Sequence, residues 1–157
     1  MKRIIIGVLA LGVCLTPLTV PLMVRPSWEQ SENLQEELQQ LLHQAKQQTQ
    51  QGQQIQAIET LQQVLAIARQ LKAREIEAKA LLGIGFNYSN IGRKQEALNY
   101  YNQALPIYQE VKDRSGEATT LNNIGAVYRD IGQPQEALKY FNQALPITRE
   151  VKDRSVV

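Results

Sequence analysis

The sequence predicts an all-α protein built as a solenoid of antiparallel helix pairs, and three observations carry that expectation. The stretch Glu117–Ile147 repeats, forty residues later, the stretch beginning at Glu77. Laying Leu81–Ser115 over Leu121–Ser155 leaves about two-thirds of the positions identical without a gap. A fixed period of this length marks stacked units, none of which buries its apolar face alone. Within each unit the apolar residues fall at helical spacing.

In chain order, residues 1–24 differ in kind from the rest. Lys2 and Arg3 precede the apolar run Ile4–Leu15, and TPLTVPLMV follows. A positive start and an apolar core of this length read as a signal peptide or N-terminal membrane anchor. Residues 4–24 approach the ~20 needed to span a bilayer, with Pro17 and Pro21 distorting the span. No small-residue cleavage site follows. By the positive-inside rule the remaining chain would lie on the outer side, periplasmic, secreted or tethered. Cys14 is the single cysteine, so no intramolecular disulfide forms. Leu11-Gly12-Val13-Cys14 loosely matches a lipidation box, but Val13 is larger than the residue such a box requires. An inert apolar cysteine is the preferred reading.

Residues 25–33 read as a polar linker, with Ser27 and Gln30 placed to form a capping box that opens the first helix. Residues 34–74 are glutamine-rich. In the forty-residue register, however, Leu41, Ala45, Gly52, Ala57 and Leu61 fall opposite Leu81, Gly85, Gly92, Ala97 and Tyr101. This is a degenerate first repeat with a polar outer face, as a terminal unit needs. The second repeat covers 75–114 and the third 115–155.

The third repeat shows the unit clearly. Leu121, Ile124, Tyr128 and Ile131 form one helical stripe, and Gly125 beside it leaves room for a second helix. Gly132 ends the helix as a left-handed cap, and Pro134 opens the next. Ala137, Phe141, Ala144 and Leu145 form the second stripe. Pro106 and Pro146 sit inside second helices and should bend them. The segment EVKDRS is expected to lengthen the second helix and its exit turn.

These spacings resemble the tetratricopeptide repeat (TPR) family. Its pattern W-x2-L-G-x2-Y then A-x3-F reads here as Leu121-x2-Ile124-Gly125-x2-Tyr128 then Ala137-x3-Phe141, and as Leu81-x2-Ile84-Gly85-x2-Tyr88 then Ala97-x3-Tyr101. The period departs from the family's usual 34 residues. The QALP and VKDRSGEA phrases are similar to long-period cyanobacterial arrays, some joined to a caspase-like CHAT domain. The resemblance implies a right-handed superhelix of three hairpins that acts as a protein–protein interaction scaffold, with a peptide or helix held in the concave groove. Arrays of this family usually end in an extra polar helix. The Phe141 and Leu145 sides of the third repeat are therefore expected to be partly exposed. Self-association through that repeat, or service as a regulatory fragment of a CHAT-type protease system, are the alternatives.

The two well-matched repeats also say which positions packing does not dictate. They differ at Leu82, Gly83, Phe86, Asn87, Ser89 and Asn90, whose counterparts are Asn122, Asn123, Ala126, Val127, Arg129 and Asp130. The resemblance places part of this set in the groove, and the groove candidates are Lys79, Leu82, Phe86, Asn90, Asn122, Asn123, Ala126 and Arg129. Asn123 offers a donor and an acceptor to a peptide backbone. Arg129, Lys79 and Lys46 add positive charge suited to a carboxylate. Leu82 and Phe86 form either an apolar pocket or inter-repeat core, with core preferred for Phe86. Drift on a solvated face would explain the variation equally well.

Composition excludes other classes. The net charge of +2 comes from Lys2 and Arg3, and the rest of the chain is balanced, which argues against nucleic acid. One histidine, His43, and no paired Cys/His spacing give no metal site. No phosphate loop or nucleophile motif is present. Neither enzyme nor cofactor is expected.

Overall fold

The structure, a computed structural model, describes residues 27–154 as six helices: α1 (Ser27–Gln50), α2 (Gln54–Gln70), α3 (Arg74–Asn90), α4 (Lys94–Glu110), α5 (Arg114–Asp130) and α6 (Pro134–Arg154). The expected leader at 1–24, its Cys14 and the last three residues lie outside the described part, as do the side chains of Ser27, Trp28 and Gln30. α1 already runs through most of the stretch read as a linker over 25–33. Each helix packs on its neighbours in sequence, and α3 also touches α5. Contacts between adjacent units alone define a solenoid.

The forty-residue period is divided evenly. α2 to α5 are each 17 residues long, and every turn between helices takes three residues. EVKDRS therefore does not lengthen an exit turn. Glu110 ends α4, Val111-Lys112-Asp113 makes the turn, and Arg114 opens α5. The extra length of the period has gone into both helices of the hairpin.

All five turns close with the same paired bonds. After α5, the Gln133 N–H donates to the Tyr128 carbonyl (2.8 Å) and the Gly132 N–H to the Arg129 carbonyl (3.1 Å). This is the Schellman arrangement, which needs a left-handed residue after the helix. Within hairpins that residue is glycine: Gly52, Gly92 and Gly132 have φ of 75°, 82° and 78°. Between hairpins it is lysine, Lys72 at 55° and Lys112 at 59°. A left-handed lysine costs about 1–2 kcal/mol, so packing of successive hairpins has to offset it.

The core follows the expected stripes. Leu81, Ile84, Leu121 and Ile124 are all buried, as are Ala97, Ala137 and Ala144. A Cβ on Gly85 would lie 2.7 Å from the Tyr101 ring, and one on Gly125 would lie 2.7 Å from the Phe141 ring. Glycine at these places is a packing requirement. The stripe fails at its end, where Ile131 is 41% exposed. Both helices continue past Pro106 and Pro146. Each proline deletes one bond, to the carbonyl of Asn102 or Asn142, and both asparagines are exposed residues.

Candidate functional site

The first helices of the hairpins, α1, α3 and α5, form the inner surface, and three depressions follow one another along it. The first, about 500 Å³, is lined by Leu42, Ala45, Lys46, Thr49 and Gln50 of α1, Leu61 of α2 and Gly83 of α3. The second, about 410 Å³, shares Thr49 and Gly83. It adds Lys79, Leu82, Phe86 and Asn87 of α3, Tyr108 of α4, and Thr119 and Asn123 of α5. The third, about 340 Å³, shares Thr119 and adds Ser115, Ala118 and Asn122 of α5 with Thr148, Val151 and Lys152 of α6. Shared residues join the three into one track. The forty-residue register appears within it as Leu42, Leu82 and Asn122, one in each depression. The lining is apolar at the first end and polar at the last.

Five of the groove candidates from the sequence lie here: Lys79, Leu82, Phe86 and Asn123 in the second depression and Asn122 in the third. Asn90, Ala126 and Arg129 line none of the three. Arg129 is also engaged locally, its Nη2 3.0 Å from the Asp130 carboxylate, which accepts as well from Lys94 Nζ at 2.8 Å. Phe86 departs from the preferred core reading. It is 43% exposed and forms part of the groove wall. Leu82 is half-buried, packed against the core on one side and lining the groove with the other.

Sequence reasoning missed a buried polar link beneath this surface. Asn87 is 1% exposed. Its amide donates to the Gly83 carbonyl (2.8 Å) and to Thr49 Oγ1 (3.1 Å), tying α3 to α1 across the groove floor. A polar residue three after Ile84, where the third repeat has Val127, was the signal.

A charged ladder was missed as well. Arg74 pairs with Glu77 (2.5 Å) and with Glu110 of the same hairpin (2.6 Å). Forty residues on, Arg114 pairs with Glu117 and with Glu150. Glu77 and Glu117 are buried and also reach back to the preceding hairpin. Arg69 Nε donates to Glu77 at 2.9 Å, and Gln109 Nε2 donates to Glu117 at 3.0 Å. Burial of Glu77 works against its charge, but the hydrogen bonds from Arg69 and Arg74 outweigh it and hold the carboxyl below its usual range. Arg74, Glu77 and Glu110 recur forty residues on as Arg114, Glu117 and Glu150, a repetition visible in the sequence. Stacked pairs Tyr88–Tyr100 (centroids 5.5 Å apart) and Tyr128–Tyr140 (5.4 Å) complete the register near the hairpin turns.

Among the described residues, no group of three or more His, Cys, Asp or Glu side chains is placed to hold a metal ion. His43 is exposed and, among the described residues, engages Gln47 at 3.0 Å. No described helix is long and apolar enough to cross a membrane. The track therefore offers surface and shape, and its polar groups are amides, hydroxyls and lysine ammonium groups.

Comparison with known proteins agrees with this geometry. The profile of the tetratricopeptide repeat matches residues 38–110 and again 76–150. Among solved structures, the TPR domain of Arabidopsis FLU superposes with a TM-score of 0.70 at 23% identity, over 74% of this chain and 98% of that domain. BtubC from P. vanneervenii superposes at 0.62 with 16% identity, over 80% of this chain and 58% of that one. At such identities the likeness is one of fold. No curated protein sequence matches this chain significantly.

Proposed function

Because the chain belongs to the tetratricopeptide repeat family, whose fold serves as a protein–protein interaction scaffold, we propose that its concave track captures a peptide segment of a partner protein. The observation that carries this reading is Phe86, 43% exposed on the wall of a continuous apolar-to-polar track. A large aromatic held open to solvent beside half-buried Leu82 is the kind of anchor that binding surfaces use. Asn123 lines the same depression, with an amide suited to a peptide backbone. Lys46 lines the first depression and Lys79 the second, and neither depression has a carboxylate in its lining, which favours a segment carrying an acidic group beside an apolar side chain. Residues 1–24 are read as placing this scaffold outside the cytoplasmic membrane, exported or tethered.

Selection of a displayed peptide library on the full chain tests the reading. Enriched peptides should share an apolar anchor and a carboxylate. They should lose at least tenfold in affinity, by fluorescence anisotropy, to Phe86→Asp or Asn123→Ala. Both side chains are off the core, so circular dichroism should show the fold intact. Peptides that bind the wild type and Phe86→Asp equally would remove the track from consideration.

A further inference from the structure

The outer face of α6 repeats Leu98 and Leu105 of α4 as Leu138 and Leu145, with Phe141 and Thr148 where α4 has Tyr101 and Tyr108. Leu98 of α4 is 4% exposed under α5, and its counterpart Leu138 is 58% exposed. Leu145 is 48% exposed, whereas Leu105 is half-buried against the α5 core. The interior junction therefore shows, in this chain, what covers such a face. α5 meets α4 with Glu117 in its first turn, bonded to Gln109. Thr120 follows, and then Ile124 and Val127 against Leu98 and Tyr101. The α2–α3 junction uses the same opening contact, Arg69 to Glu77.

The receiving position recurs every forty residues, as Arg69, Gln109 and Arg149. The first two hold a glutamate from the next helix. Arg149 is exposed on α6 and has no ion-pair or hydrogen-bond partner among the described residues. An apolar strip with a cation at its end is complementary to one kind of occupant. We propose that the α6 face docks an amphipathic helix of a partner protein, one that runs antiparallel to α6, places a carboxylate in its first turn against Arg149 and carries aliphatic side chains further along it against Leu145 and then Leu138.

A second copy of this chain fits less well. On α1, Glu37 stands in the matching register, but Gln40, Gln44 and Gln47 stand where α5 has Thr120, Ile124 and Val127, and among the described residues none of the three is buried. Glutamines would leave Leu138 facing polar groups.

The probe is a peptide of residues 114–130, the α5 sequence, held helical by a side-chain bridge on its solvent face and titrated against the full chain. Saturable binding is expected. Glu117→Lys in the peptide should weaken it at least tenfold. Arg149→Glu in the protein should restore binding of that charge-reversed peptide while losing the original. Leu138→Asp should abolish binding without unfolding the chain, and Phe86→Asp should leave it unchanged. No saturable binding, or binding that survives Leu138→Asp, overturns the proposal. So does a concentration-dependent dimer in sedimentation that Leu138→Asp dissolves, because the occupant is then a second copy.

Discussion

The hairpins α3–α4 and α5–α6 are nearly the same sequence in two different surroundings. Tyr101 is 1% exposed and Phe141 is half-buried; Ile91 is half-buried and Ile131 is 41% exposed. The sharpest contrast is a segment identical in both. Glu110-Val111-Lys112-Asp113-Arg114 leaves a helix, turns through a left-handed Lys112 and enters the next helix, with Asp113 accepting from the Gly116 N–H at 2.9 Å. Glu150-Val151-Lys152-Asp153-Arg154 is helical throughout. Identical residues thus take two conformations. Local propensity tolerates the helix, and only a following helix that packs on α4 makes the turn worth its left-handed lysine.

The largest test of this contrast is truncation at matched positions. Leu98→Ala should destabilise the chain by about 2–5 kcal/mol, read as the shift in urea unfolding, whereas Leu138→Ala should change it by about 0.5 kcal/mol or less. Equal losses would mean that the α6 face is covered in solution.

Next come the helix-contact glycines. Gly85→Ala should cost about 1–3 kcal/mol by overpacking against an immobile Tyr101. Gly125→Ala should cost less, because the Phe141 ring it meets is half-buried and has room to turn away. Smaller again are the caps. Gly92→Ala and Gly132→Ala should each cost about 1 kcal/mol, and alike, because nothing lies within 4 Å of either added Cβ. A difference between these two would show that the turns themselves are not equivalent.

The smallest effect is one of pH. The Glu77 carboxyl is held below its ordinary value near 4.5 in the folded chain. Its contribution to stability is therefore present above that value and is lost as pH falls through the lower, folded one. The Tm gap between wild type and Glu77→Gln should narrow steadily as the solution is acidified below about 4.5. A gap that does not change with pH would mean the Arg69 and Arg74 bonds do not stabilise the ionised form.

Much of this was legible from residues alone. The period, the helical stripes, and the three glycines and Pro134 at the hairpin turns are dictated by local rules of spacing and backbone freedom, so reading them needed no neighbours. What escaped was relational. Asn87 and Glu77 look like surface residues by type, and only the helices packed over them show that they are buried and bonded. Phe86 looks like core by type, yet α3 turns it toward the concave side. Arg129 looks like groove charge, but it sits at a helix end and is held by Asp130.

The sequence by itself determined that this chain is a helical-repeat array, because a forty-residue period with paired apolar stripes admits stacking and little else. The tertiary structure alone decided which copy of a repeated residue is buried and which is exposed. Burial belongs to the junction between units, and two copies of one phrase differ in it only through what packs against them.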